Sequence, residues 1–225
     1  MSGTLLQPTP WSGGPLRRGL HNPAENRTDP VIPDFNHSHV LPPFLGDSPT
    51  AAPDASPYRA SMLEVTQRFA SLPGRRPLIE GLLNYRADLA ALGFVRGFQW
   101  LDGSFAEDVE AHAQRPPNDI DIVTFAFSPV GLTSAQISKV IADNPVIFTN
   151  ARAKEKYGCD AYVVPLDKAP ENLVKRTAYY FSLFSHRRSD QVWKGLLQIP
   201  LESDDALARG LLQNMSLGDT NAVTA

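Results

Sequence analysis

The chain predicts an α/β (α+β) domain in which helices flank a small mixed sheet, and three observations support this class. Short β-forming runs alternate with amphipathic helical stretches along the chain. A composition of 42% hydrophobic and 20% charged residues over 225 positions suffices for one sizeable core. No internal repeat interrupts this order. A formal net charge of −3 with a pI near 5.9 provides no global attraction to nucleic acid or membrane, although a local basic patch remains compatible with it.

The lone Cys159 excludes an internal disulfide and any multi-cysteine zinc site, and reads as a small buried apolar residue in a reducing compartment. No apolar run approaches the roughly 20 residues needed to span a bilayer, and the first residues lack a cationic start followed by an apolar core. The expectation is therefore a bacterial-type cytoplasmic protein without a membrane partner. Residues 1–30, rich in Pro, Gly, Thr and Asn, are expected to form a disordered leader. Residues 31–57 break repeatedly at proline yet carry Phe35, Val40, Leu41, Phe44 and Leu45, as expected of an extended arm packed on the core. Residues 58–225 form the single domain, with a helical and extended C-terminal part.

Within that domain, Ser56 is expected to cap a first helix with Pro57 at its first position, placing Met62, Val65, Phe69 and Leu72 on one stripe. A second helix carries Ile79, Leu82, Tyr85, Leu89 and Leu92 inward and stops at Gly93. Phe98 to Leu101 form a strand running into Gly103-Ser104. Ser104 with Glu107 has the form of a capping box that opens a helix over SFAEDVEAHA. The strand DIDIVTFAF follows, then a helix capped by Thr133 with Gln136, and the strand DAYVVPL. A helix over PENLVKRTAYYFSLF, an extended KGLLQIPL and a last helix over SDDALARGLLQNM complete the order.

Chemistry concentrates at the strand ends. Side chains alternate faces on a strand, so Asp119 and Asp121 point together while Ile120 and Ile122 point into the core. Two carboxylates this close repel unless a cation neutralises them, and hard oxygen donors suit Mg²⁺ or Mn²⁺. Asp160 opens the next good strand, and adjacency of the two strands would complete a three-carboxylate cluster able to hold two metals. It competes with a use of Asp160 in capping the turn at Tyr157-Gly158. Upstream, Gly103-Ser104 lies between a strand and a helix start, where free N–H groups favour phosphate.

Other polar groups have simpler readings. Glu107, Asp108 and Glu110 suit a helix's first turns on dipole grounds alone. His37 and His39 lack neighbouring ligands and read as polar loop residues. Arg187 and Arg188, after the helix YYFSLF, are candidates for gripping a triphosphate or nucleic acid, or equally for complementing a helix C-terminus. Lys175, Arg176 and Lys194 are weaker candidates of the same kind. Tyr179, Tyr180, Phe181 and Phe184 are assigned to the core rather than to a base-stacking platform.

LDGSF, NDIDIV and CDAYVV together resemble the polymerase-β-like nucleotidyltransferase superfamily, with its Gly-Ser turn, Asp-x-Asp and later third acid. GFQWLDGSFAEDVE and RPPNDIDIVTF, with IPDFN and VLPPF upstream and KGLLQIPL downstream, look like an uncharacterised bacterial family of small nucleotidyltransferase-like proteins. That resemblance spans residues 31–201, though 14 residues separate Ser104 from Asp119, slightly more than is usual in the superfamily. It implies a polymerase-β palm-like fold binding a nucleoside triphosphate, with the phosphates on Gly103-Ser104. By the same resemblance Asp119 and Asp121 hold metals bridging the phosphates, and Asp160 holds the catalytic metal and helps activate an acceptor hydroxyl.

The implied reaction moves a nucleoside monophosphate to a hydroxyl of a protein, RNA or small molecule, in a toxin–antitoxin or phage-defence setting. The alternative is a catalytically silent nucleotide-binding or antitoxin-type partner. An antibiotic-modifying enzyme would need a larger C-terminal helical domain, and a templated polymerase would need additional domains.

Overall fold

The computed structural model describes residues 32–47 and 55–223, with side chains through residue 216. The expected leader and the middle of the arm lie outside these residues. Among those described, no helix is long and apolar enough to cross a membrane.

Five strands form one mixed sheet: β1 (Tyr58–Arg59), β2 (Gly97–Asp102), β3 (Ile120–Ala126), β4 (Cys159–Pro165) and β5 (Leu197–Pro200). Their order is β1-β5-β2-β3-β4. The outer pairs β1·β5 and β3·β4 are parallel, whereas β2 runs antiparallel to both β5 and β3. Alternation then sorts each strand's side chains between two layers. Leu101, Ile120, Ile122, Ala161, Leu197 and Ile199 face one core, and Trp100, Val123, Phe125 and Val164 face the other.

The larger core is covered by α1 (Met62–Phe69), α2 (Arg76–Ala91), α6 (Asn150–Tyr157) and α8 (Asp205–Val223). Ile79, Leu82, Tyr85 and Leu89 are the inward stripe of α2, as their spacing predicts, and Gly93 follows its end at φ +87°. The smaller core is covered by α7 (Pro170–Phe184), through Tyr180 and Phe184. Three shorter helices are α3 (Val109–Ala113), α4 (Ser134–Asp143) and α5 (Pro145–Phe148). Thr133 and Gln136 cap α4 reciprocally, as read from the sequence. The short α5 and α6 escape the sequence reading, because only Ile147, Ala153 and Tyr157 of this stretch turn inward, too few to make a periodic stripe.

Two predicted caps are displaced. Ser61, not Ser56, caps α1: its hydroxyl accepts from Glu64 N (3.2 Å) and Glu64 Oε2 accepts from Ser61 N (2.7 Å). Tyr58–Arg59 are instead drawn into the sheet beside β5, and the Ser56 hydroxyl accepts from Leu196 N at 2.8 Å. Ser104 caps nothing. Gly103–Ala106 form one 3-10 turn, Glu107 is extended, and the Asp108 side chain caps α3 through Ala111 N.

In the described part of the arm, Ile32, Val40 and Leu41 are buried. It threads between two segments: Leu41 N donates to Ala106 O (3.2 Å) and Leu41 O accepts from Gly195 N (2.7 Å). A buried Arg86 on α2 ties the layers together, bonding Gln99 Oε1 (2.7 Å), Asp205 and the carbonyls of Pro200 and Leu201. Substituting Ser61→Ala removes the reciprocal cap and is expected to lower stability by about 1 kcal/mol in urea unfolding, with an unchanged denaturant slope.

Candidate functional site

The three acidic strands meet in one row. Asp102 at the end of β2 pairs in register with Asp121 on β3, which pairs in register with Asp160 on β4. All three occupy the same face as Trp100, Val123 and Tyr162, so three neighbouring strands present three adjacent carboxylates. Asp119 lies two residues before Asp121 on the same side, outside the strand. The sequence-based grouping of Asp119, Asp121 and Asp160 is thus brought together, and Asp102 joins it as a fourth acid. The signal for Asp102 was its place beside the Gly-Ser turn at the end of an apolar strand.

Gly103 makes this row possible. Its φ is +76°, and a Cβ there would stand 2.0 Å from Asp121 Oδ2, so the turn passes directly over that carboxylate. The Ser104 backbone carbonyl closes the turn by accepting from Glu107 N, while its hydroxyl is free among the described residues.

Two of the four acids have cations of their own. Lys194, 3% exposed, donates to Glu107 Oε1 (2.8 Å) and Gly103 O (3.0 Å) and lies 3.3 Å from Asp102 Oδ1. Burial opposes the ammonium charge, but Asp102 and Glu107 hold it on, leaving the amine above the ordinary lysine range. Complete burial drives Asp102 the other way, up to about 7 in spite of Lys194, whose amine is near its Oδ1 without the geometry of a hydrogen bond. Asp119 is paired with Lys154 of α6, and that contact raises the lysine's pKa.

Asp121 and Asp160 have no ion pair among the described residues. Burial first, then the charges of Asp119 and Asp160, push Asp121 up to about 6. The Tyr162 hydroxyl reaches Asp160 Oδ2 at 3.4 Å. Among the described residues no group of three or more His, Cys, Asp or Glu side chains is arranged to hold a metal ion. Lysines pair with Asp119 and Asp102, which leaves Asp121 and Asp160 as the acids of the row without a counter-charge among the described residues. The donor set still suits a hard divalent cation: two neighbouring carboxylates lack a counter-charge, and one is desolvated enough to resist ionising.

The arginines divide. Arg187 bonds Asp190 and Ser38 O (2.8 Å), which ties a hairpin to the arm. Arg188 is exposed, lines a cavity of about 520 Å³ with His186 and Tyr179, and its charge lowers the pKa of Asp121. Glu107, read as a helix-terminal acid, is instead the buried partner of Lys194. Glu110 pairs with a fully buried Arg75, which also donates to Phe105 O (2.8 Å) and Glu107 O (2.6 Å). Lys194, only a weaker candidate in the sequence, is the residue most underrated there. A lysine entering the apolar run KGLLQIPL was the available signal.

Lys194→Met leaves Asp102 and Glu107 buried without a cation and is expected to cost roughly 3–5 kcal/mol at neutral pH, read by urea unfolding. The pH dependence of Asp121 has a definite sign. Its folded pKa, about 6, exceeds the ordinary aspartate value of 3.8, so its favourable contribution is complete below the latter and lost as pH rises through the former. With chelator present, Asp121→Asn should gain on the order of 2 kcal/mol over wild type between roughly pH 4 and 7. Parallel stability curves across that range would contradict the assigned environment.

No curated protein and no solved structure matches this chain. A family model does match, over residues 33–200, a span that contains β1 to β5 and every acid of the row, and by it the chain belongs to DUF6932, a family of unknown function.

Proposed function

We propose that the protein is a metal-dependent nucleotidyltransferase that moves a nucleoside monophosphate from a triphosphate to an acceptor hydroxyl, releasing pyrophosphate. The observation that supports this most is the in-register row Asp102–Asp121–Asp160 beneath the Gly103-Ser104 turn. Acids without counter-charge beside a glycine turn suit a triphosphate carried with its cation.

In this reading Asp121 and Asp160 hold Mg²⁺ or Mn²⁺, joined by Asp119 when Lys154 yields it. The bound ion supplies neutralisation and Lewis acidity at the phosphates. The chain's own groups do the positioning. Backbone N–H groups at Gly103-Ser104 and the Ser104 hydroxyl receive phosphate oxygens, and exposed Arg188 offers a bidentate fork from the α7 side. Arg187 keeps the hairpin in place rather than meeting the nucleotide. Asp160, partly exposed at the end of the row, takes the proton of the entering hydroxyl. Lys194 fixes the carbonyl of Gly103 and so the pitch of the turn.

A second reading has its own support: Lys154 and Lys194 already neutralise Asp119 and Asp102, as in a nucleotide-binding or antitoxin-type partner with no turnover. Calorimetric titration separates them from a protein that binds no nucleotide. ATP, GTP, CTP and UTP are each titrated with Mg²⁺ into wild type and Asp119→Ala/Asp121→Ala. Binding of one triphosphate that needs the metal and disappears in the double variant is expected. Labelled nucleotide retained on an acceptor then favours transfer, and binding without transfer favours the silent partner. Failure of folded wild type to bind any triphosphate would remove the transfer reading and leave the antitoxin-type partner.

A further inference from the structure

The helix on the carboxylate side of the sheet carries a second organised surface. Tyr180 and Phe184 of α7 face the core, and beside them Asn172, Arg176, Tyr179 and Leu183 recur at helical spacing along an outward stripe. Two cavities open on this stripe. One of about 280 Å³ is lined by Lys168, Asn172 and Arg176, and the other, of about 520 Å³, by Tyr179, Ser182 and Arg188.

Cations outnumber acids along this stripe, although α7 also carries Glu171, exposed in its first turn. Lys168, Arg176 and Arg188 stand along the stripe, and none is in an ion pair among the described residues. The acid beside Lys168, Asp167, is held by Ser128, whose hydrogen bond is the chief reason its pKa is lowered, and Asp190 is occupied by Arg187. Between the cations, Tyr179 is 62% exposed and braced edge-on by Tyr180 at 5.1 Å, an aromatic ring held in place without being covered. Asn172, Ser182 and Gln191 add exposed polar groups at the same cavities.

Cations spaced along a groove with an aromatic platform are the requirements of a single strand, since every base has a face to stack and every step carries a phosphate. Hydroxyl and amide groups beside the cations suit the ribose 2′-hydroxyl, which both donates and accepts. Behind the stripe, the buried face of α7 is seated next to the row of acids: Tyr180 packs on Tyr162 at 5.5 Å, and Tyr162 contacts Asp160. A 15-residue helix, about 22 Å long, is enough for a few nucleotides.

We propose that this face of α7 binds single-stranded RNA and delivers its end to the row of acids. Its role as the acceptor rests on the transfer reading above; binding itself does not.

The test is fluorescence anisotropy of a labelled 15-nucleotide RNA over a range of salt, with neither triphosphate nor Mg²⁺ present. Wild type is expected to bind with a log–log salt slope of about −2, as three phosphate contacts on a single strand give. Lys168→Ala/Arg176→Ala should weaken binding at least about ten-fold and remove about 1.4 from that slope. Tyr179→Ala should weaken binding about ten-fold with the slope retained. These side chains are exposed, so each variant should melt with wild type.

Absence of RNA binding at low salt, equal binding of DNA of the same sequence, or binding unaffected by the variants would overturn the proposal. Capture of a protein with no RNA affinity would overturn it in favour of a protein partner. RNA binding that depends on α7, in a protein that binds no triphosphate, would leave this surface standing and remove the transfer reading alone.

Discussion

The buried amine of Lys194 is the constraint on which the functional end of the molecule depends. A lysine at 3% exposure is tolerated only where acceptors surround it, and Asp102, Glu107 and the Gly103 carbonyl provide them. Those acceptors come from the end of β2 and the turn after it, whereas Lys194 arrives from the hairpin before β5. One charge therefore fixes the distance between two parts of the chain some 90 residues apart. Arg75 works from the opposite side, binding the Phe105 and Glu107 carbonyls. The segment 103–107 is thereby clamped by two cations and needs no regular helix to hold its shape. The arm adds a third support, since Leu41 bonds both Ala106 and Gly195.

Electrostatics along the row follow from this clamp. Four acids within one end of a sheet would oppose folding if all were ionised and unpaired. Lysines answer two of them locally, one buried and one half-exposed, and what remains is concentrated on Asp121 and Asp160. Asp121 has the harder position because Gly103 crosses directly above it and Asp160 lies in the next strand. Burial first, and then the charges of Asp119 and Asp160, raise its pKa, and no ion pair among the described residues offsets them.

Much of the fold was legible because local and long-range preferences agree. In α2, the spacing of Ile79, Leu82, Tyr85 and Leu89 gives both the helix and its buried face, and the alternation in β3 gives both strand and orientation. Errors arise where two local signals compete. Ser56-Pro57 and Ser61-x-x-Glu64 are both helix-start patterns five residues apart, and strand pairing with β5 decides for the second. Ser104-x-x-Glu107 matches a capping box in sequence, but Lys194, 87 residues from Glu107, claims the glutamate side chain. Periodicity carries no information about such a distant partner. For the same reason Asp119 could be grouped correctly with Asp121 while its capture by Lys154 stayed invisible. Tyr179 and Tyr180, adjacent in an aromatic run, were read alike, and only the helix's rotation places one in the core and the other in solvent.

The two faces of the sheet are covered unequally, which determines where chemistry has room. Four helices close over the Leu101, Ile122 and Leu197 layer, where the buried Arg86 is bonded to Gln99 among apolar side chains. On the other face α7 covers Trp100, Val123 and Phe125, and the apolar cluster gives way to the acids at the ends of β2, β3 and β4. The strand alternation that sends Ile120 and Ile122 into the thick layer necessarily sends Asp119 and Asp121 to the thin one. A shift of β3 by one residue would exchange the two sets, burying both aspartates among apolar side chains. The hydrophobic core and the row of acids are thus specified by the same register, so that register cannot change without losing both.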